Sequence, residues 1–181
     1  AVARRHSSPK VVGRGSPQLS LGAPPAIIAG AMLRARLFGD FAVWVDERAV
    51  PPIPGVRPRS LLAYLLLHPG MHPRTRLAGR FWPDVLETSA RASLRSAVWT
   101  VRAALEQAGG AAYLRADRAG VGGAPELTRD VGAERFDRLV GAGDDTSLTE
   151  AVALSDGPLL ADLADEWALE AQDAHRERLI D

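Results

Sequence analysis

The sequence predicts an α+β fold, and three observations carry that prediction. Short alternating segments at Leu33–Phe38 and Phe41–Val45 flank a Gly39-Asp40 turn. Longer stretches with helical periodicity follow, the clearest of them over residues 88–108. Breakers punctuate the pieces at Pro51-Pro52-Ile53-Pro54-Gly55, His68-Pro69-Gly70 and Gly157-Pro158.

Residues 1–31 contain Pro9, Pro17, Pro24 and Pro25 with little periodicity and read as a disordered extension. Arg4, Arg5 and Lys10 precede an Ala-rich stretch, but its apolar part is short and broken by prolines, unlike an export signal. A cytoplasmic location is therefore expected. The sequence begins at Ala, and Met32 sits where periodicity begins, so Met32 is read as the natural start.

A short antiparallel meander follows, with Asp46-Glu47 as its second turn and Arg48-Ala49-Val50 as its last strand. Pro58 suits the first turn of a core helix carrying Leu61, Leu62, Leu65 and Leu66. A third helical piece starts at Thr75, turns Leu77, Phe81 and Trp82 inward, and ends at Pro83.

The helix over 88–108 has two unlike faces. At about 100° per residue, Leu94, Val98, Val101 and Leu105 form one apolar stripe. Arg91, Arg95 and Arg102 run along its flank, and Ser96, Trp99 and Thr100 lie on much of the surface turned away. Thr88 or Ser89 is the expected start signal and Gly109-Gly110 the stop.

Beyond it, Tyr113-Leu114-Arg115-Ala116 and a glycine-rich return near Val121-Gly122-Gly123 suggest a small hairpin, poorly specified on its second side. Residues 125–129 read as a linker. Phe136, Leu139 and Val140 then mark a helix, Ser147-Leu148-Thr149-Glu150 fits a capping box opening another, and a last helix starts near Asp165. Trp167, Ala171, Ala174 and Leu179 are expected on one side of that last helix.

The formal net charge is zero, but the charge is segregated: residues 33–118 carry +6 and residues 119–181 carry −10. A basic half followed by an acidic half implies modules with different partners. There is no Cys, which removes disulfides, thiolate zinc sites and cysteine nucleophiles. The longest apolar run, Leu61–Leu67, is far too short to cross a bilayer, so no membrane partner is expected.

Enzyme readings fare poorly, and neither a cofactor nor a metal is expected. His68 and His72 are four apart, but Pro69 and Gly70 between them prevent a shared helical face. Asp162, Asp165 and Glu166 cluster where a helix start favours acids. Gly120-Val121-Gly122-Gly123 lacks the strand-to-helix context and the Lys of a phosphate loop, and no Gly-x-Ser-x-Gly segment occurs.

The order and local residues resemble a known pairing. The pieces are Leu37-Phe38-Gly39-Asp40-Phe41, then Arg57-Pro58-Arg59-Ser60-Leu61-Leu62-Ala63-Tyr64-Leu65, then Arg76-Leu77 with Phe81-Trp82-Pro83. Ser89-Ala90-Arg91 before Leu94-Arg95, Asp130-Val131 before Phe136, and Gly157-Pro158-Leu159-Leu160 before Glu166-Trp167 complete them. Together they resemble an OmpR-type winged helix joined to a bacterial transcriptional activator domain, as in the SARP/AfsR-like regulators.

The resemblance implies a winged helix-turn-helix with an N-terminal antiparallel sheet over 32–124. An all-α, tetratricopeptide-like segment over 125–181 would be the truncated start of the activator domain. Two departures matter: the hairpin lacks the usual Gly-Tyr-aromatic return strand, and the helical part is shorter than in the family. Ending at Asp181 would leave the Trp167 helix without its next neighbour, so a fragment, a truncated member or a homodimer completing the stack is expected.

The resemblance makes the 88–108 helix a reader of double-stranded DNA at promoter repeats, in a transcriptional activator. Arg91 and Arg95, one turn apart near its start, suit guanine edges because the guanidinium offers two donors at once. Ser93, Ser96 and Thr100 are expected to donate to phosphate or base edges, Trp99 to pack on sugar or a thymine methyl, and Arg102 to reach a phosphate. Thr75 and Arg76 open the preceding helix, whose free N–H groups favour phosphate, with Arg57 and Arg59 assisting. Arg115 and Arg118 would approach a flanking groove. The connector residues Asp84, Val85, Leu86 and Glu87 are candidates for touching RNA polymerase. The competing readings are a solvated face with Glu87 and Glu106 as partners of the arginines, and a protein-interaction adaptor that has lost DNA binding.

Overall fold

Alternation in the opening segments becomes a sheet with one buried face. The computed structural model describes residues 32–124 and 128–178. In chain order it contains β1 (Met32–Arg36), β2 (Ala42–Val45), β3 (Arg48–Ala49), α1 (Val56–Leu67), β4 (Met71–Pro73), α2 (Arg74–Phe81) and α3 (Glu87–Gln107). A 3-10 turn at Ala111–Tyr113 leads to β5 (Leu114–Ala116) and β6 (Gly120–Gly123), followed by β7 (Thr128–Val131), α4 (Gly132–Ala142), α5 (Asp145–Leu154) and α6 (Glu166–Arg178).

Leu33 and Ala35 of β1 and Val43 and Val45 of β2 point into the core, while Arg34 and Arg36 stay outside. The sheet order is β3-β2-β1-β7, antiparallel except for β1 and β7. Met32 lies opposite Thr128 and Ala35 opposite Val131 across that parallel pair. The second half is therefore not all-α and its first residues are not wholly linker: residues 128–131 complete the N-terminal sheet. The backbone of β1 offers its free edge to them. Residues 1–31 and 125–127, read above as extension and linker, lie outside the described residues.

The apolar stripe of α3 is buried as its period requires: Leu94, Val98, Val101 and Leu105 all pack into the core with Leu61, Leu77 and Phe81. The ends of the helices differ from the sequence signals. α3 starts at Glu87 with Leu86 as its uncapped N-terminal flank, so Thr88 and Ser89 sit inside the first turn. Its C-terminus closes as expected: Gly109, at φ 84°, donates to Glu106 O and Gly110 to Leu105 O. α5 is capped by Asp144, whose carboxylate accepts the Ser147 N–H at 3.0 Å and the Ser147 hydroxyl at 2.6 Å. The capping box at 147–150 therefore lies one turn inside the helix.

The acidic half packs directly on the basic half. Leu160 N–H donates to Leu37 O at 2.7 Å, and Gly39 N–H donates to Pro158 O at 3.0 Å. Trp167 is 3% exposed, and its indole N–H donates to Ser60 Oγ at 3.0 Å. Its ring meets Tyr64 edge-on at 5.3 Å and lies 6.3 Å from Phe81. Around this anchor Arg57 pairs with Asp165, Arg59 with Asp162 at 3.3 Å, and Arg80 with Glu170 at 3.6 Å. The α1–α2 surface of the same chain thus covers Trp167. A second copy is not needed to bury it.

α6 turns Trp167 and Ala171 inward as expected, departs from the expected face at Ala174, and leaves Leu179 outside the described residues. Ala174 is exposed, whereas His175 is 8% exposed between Phe38, at 5.1 Å, and Phe136, at 4.8 Å. Burial pushes its pKa down from the ordinary 6.5; Arg178 adds to this and Asp137 opposes it.

Two predictions follow from this packing. Trp167→Ala should lower unfolding stability in urea by about 3–5 kcal/mol, and Trp167→Phe by much less, since it keeps an aromatic body. Equal losses would show that the indole body is not the anchor. For His175, the unfolded chain takes up a proton near pH 6.5 while the folded chain resists it until lower pH. Stability is thus full above that value and falls as pH drops below it. Urea midpoints measured at about pH 7.5 and 5.5 should separate in the wild type and lose part of that separation in His175→Phe. The same separation in both would remove His175 from the account.

Candidate nucleic-acid interface

The N-terminal turn of α2, the first turns of α3 and the tip of the β5–β6 hairpin meet around one concave surface. Its cleft, about 660 Å³, is lined by Arg74, Thr75, Arg91, Arg95, Asp117 and Arg118, among others. Four guanidiniums from three separate elements thus face one depression. Sequence reasoning named Thr75, Arg91, Arg95 and Arg118, and the structure brings them together.

Local hydrogen bonds hold this geometry. Arg74 Nε–H donates to Asp117 O at 2.6 Å, tying the start of α2 to the hairpin tip. The Asp117 carboxylate accepts from Ala119 N–H at 2.8 Å and Gly120 N–H at 2.9 Å, and these bonds hold its pKa below the usual carboxylate value. Arg74 was missed because the helix was started at Thr75. The signal was present in Pro73, which fixes the chain's entry and puts Arg74 at the first helical position.

The predicted residues have unlike surroundings. Arg91 is exposed and paired with Glu87, one turn earlier. Arg95 is exposed and has no ion pair among the described residues. Trp99 is 71% exposed, a large apolar surface for a helix whose other face is packed. Ser96 is exposed and Ser93 half-buried. Arg76 and Arg115 are exposed outside the cleft lining.

Four features have partners that the sequence did not show. Arg102 is exposed and donates one Nη2–H to Leu114 O at 3.3 Å, so part of its guanidinium props the hairpin against α3. Thr100 Oγ1 donates to Ser96 O at 3.1 Å, which takes up its hydroxyl proton. Arg57 and Arg59 are held by Asp165 and Asp162 and do not assist this surface. The return strand is not poorly specified either. β6 pairs with both β5 and β4 in a second sheet, a strand at Met71–Pro73 that no sequence signal marked.

That pairing requires the glycines. A Cβ on Gly122 would stand 2.0 Å from Gly70 O, and one on Gly120 would stand 2.7 Å from His72 O. His72 and His68 are spent nearby on structure. His68 Nδ1 is 3.0 Å from Tyr64 O, His72 Nε2 is 2.8 Å from His68 O, and both rings pack on Tyr64. Among the described residues no group of three or more His, Asp or Glu is placed to hold a metal ion.

The connector between α2 and α3 is fully on the surface. Asp84, Val85, Leu86 and Glu87 are all exposed, with Leu86 at 79% and Val85 at 48%. No helix among the described residues is long and apolar enough to cross a membrane.

No family model matches the sequence. No curated protein matches it either. Among solved structures the chain is similar to Mycobacterium tuberculosis EmbR, solved in complex with a low-affinity phosphopeptide, with a TM-score of 0.70 and 25% sequence identity. The match covers 83% of this chain and 43% of that one, so the chain spans less than half of EmbR's length. At the level of overall architecture this likeness supports the SARP/OmpR-like resemblance.

The glycine requirement is testable. Gly122→Ala should destabilise the chain by about 1–3 kcal/mol, because backbone must shift to admit the methyl group. Gly123→Ala, whose Cβ would meet nothing closer than 4.0 Å, should be tolerated. Denaturant unfolding of the two variants decides this, and equal stability would show that β6 is not held against β4.

Proposed function

We propose that this chain is a sequence-specific, DNA-binding transcriptional regulator, an activator that reads promoter repeats through α3. The observation that carries the reading is the cleft where Arg74, Arg91, Arg95 and Arg118 converge from α2, α3 and the hairpin. The major groove admits a helix of this kind, and its first turns reach base edges. Arg95 has its donors unclaimed, and Arg91 exchanges Glu87 for guanine O6 and N7 at small cost, since an exposed ion pair is worth about 0.2–1 kcal/mol.

Trp99 lies farther along the same helix and offers its indole to a sugar or a thymine methyl, with Ser96 one turn before it and Ser93 nearer the helix start. Thr75 and Arg76 bring the start of α2 to the phosphates, and Arg115 and Arg118 bring the hairpin to the flanking backbone. The exposed Val85 and Leu86 suit contact with RNA polymerase bound nearby. The EmbR likeness supports a regulator over an enzyme.

A salt-titrated gel shift on direct-repeat DNA tests the reading. Affinity should fall steeply as salt rises, in proportion to the phosphates neutralised. Arg91→Ala/Arg95→Ala should cost about 2–6 kcal/mol for two lost base contacts and flatten the discrimination between repeat and scrambled DNA. No binding at low salt, or wild-type binding by the double variant, sinks the proposal and leaves the protein-adaptor reading in its place.

A further inference from the structure

A second cleft lies away from the α3 surface, on the outer face of the four-stranded sheet. It is an open groove of about 560 Å³, within the range of small-molecule sites, and its walls come from both halves of the chain. β1 and β2 contribute Arg34, Arg36 and Trp44, and the α4–α5 side contributes Arg135, Leu154 and Asp156. Nothing in the DNA-reading surface uses these residues.

The chemistry of the floor is specific. Arg34 and Arg36 stand two residues apart on one face of β1, so their side chains project the same way. Both guanidiniums lie over the Trp44 indole, with Cζ 5.4 and 5.8 Å from the ring centroid. Stacking on an indole holds a guanidinium in place without consuming its in-plane N–H donors. Of those donors, Arg36 Nε–H goes to Asp40 O at 3.1 Å, and Arg34 is 3.9 Å from Glu47, too long for a hydrogen bond. Two guanidiniums set against one indole thus keep donors for an oxyanion.

The rest of the cleft sets the size and charge of that anion. Trp44, Ala153 and Leu154 offer the accessible apolar surface of the cleft, above the buried Leu37 and Phe38, and suit a small hydrocarbon or aromatic body. Arg135 is hydrogen-bonded to Glu150 and has the Asp130 carboxylate 3.8 Å away, so its charge is already offset by two acids and it is a weaker anion site than Arg34 and Arg36. Asp40 and Asp156 also line the cleft, and their carboxylates would repel a polyanion. Nucleoside triphosphates and a DNA backbone fit that balance badly. A monoanion with an apolar body fits it well.

We propose that this cleft binds a small carboxylic acid with an aromatic or branched apolar body, its carboxylate on Arg34 and Arg36 beside Trp44. Because β1–β2 and α4–α5 both line the cleft, the bound acid bridges the two halves of the chain and stabilises their packing.

The test uses the whole chain without DNA and takes 1-naphthoate as probe, with 1-naphthylmethanol and ATP as controls. Isothermal calorimetry should show saturable binding of naphthoate below about 10 mM and none of the controls. Thermal unfolding should shift upward with naphthoate concentration, as binding to the folded state alone requires. Arg34→Ala/Arg36→Ala should weaken naphthoate at least about tenfold. Trp44→Leu, which keeps the arginines but removes their stacking surface, should weaken it several-fold. Circular dichroism confirms that each variant is folded. No saturable binding, equal binding of the alcohol, or unchanged binding in the folded arginine variant overturns the proposal. Loss of repeat-DNA binding in that variant overturns it too, because the face would then belong to DNA. The DNA-reading proposal stands or falls separately, on Arg91 and Arg95 in the gel shift.

Discussion

The seating of Trp167 on α1 and α2 is the interaction on which the rest of the arrangement depends. A buried indole with a hydrogen-bonded N–H contributes several kcal/mol, whereas each partly exposed ion pair beside it contributes about 0.2–1 kcal/mol. The aromatic contact therefore holds the halves together, and Arg57–Asp165, Arg59–Asp162 and Arg80–Glu170 fix the angle at which they meet. Asp165 is the exception among the acids. Its side chain is 7% exposed, so removing Arg57 would strand a buried charge rather than simply forfeit a surface contact.

This seam bears on the basic cleft through α2. One side of that helix carries Phe81 against the Tyr64–Trp167 cluster, and its first turn carries Arg74 and Thr75 into the cleft. Eight residues form less than three turns, so the packing at one end fixes the direction of the other. The hairpin is fixed from two sides: Arg74 holds its tip and Arg102 holds its base. The positions of Arg91, Arg95 and Arg118 relative to one another thus follow from packing made elsewhere.

Much of this was legible in the sequence, wherever a local rule decided the outcome. The burial of Leu94, Val98, Val101 and Leu105 follows from helical period, and Gly109 ends α3 by taking the left-handed conformation that lets the N–H groups of Gly109 and Gly110 satisfy its last carbonyls. Four of the cleft residues were likewise readable from helix faces and turn positions. What escaped depends on contacts distant in sequence. β7 pairs with β1 across nearly a hundred residues, β4 exists only because β6 lies beside it, and His175 is buried only because Phe38 and Phe136 close over it. Helix starts were misplaced for a local reason: Thr88, Ser89 and Ser147 are all competent caps, and each lies within a turn of the position that the chain uses.

The zero net charge has a structural explanation in the same contacts. Asp162, Asp165 and Glu170 are occupied by Arg57, Arg59 and Arg80, so part of the acidity of the second half is neutralised inside the molecule. Asp130 and Glu150 are occupied in turn by Arg135. The cleft keeps Arg74, Arg91, Arg95 and Arg118 against the Asp117 carboxylate, which itself is turned into the hairpin by two backbone N–H bonds. Exposed charges more than about 8 Å from the cleft are largely screened at physiological salt, so the local excess, not the total, sets the field that a phosphate meets. A neutral chain is then compatible with a cationic surface, provided that the acids are tied down first. The seam around Trp167 does that.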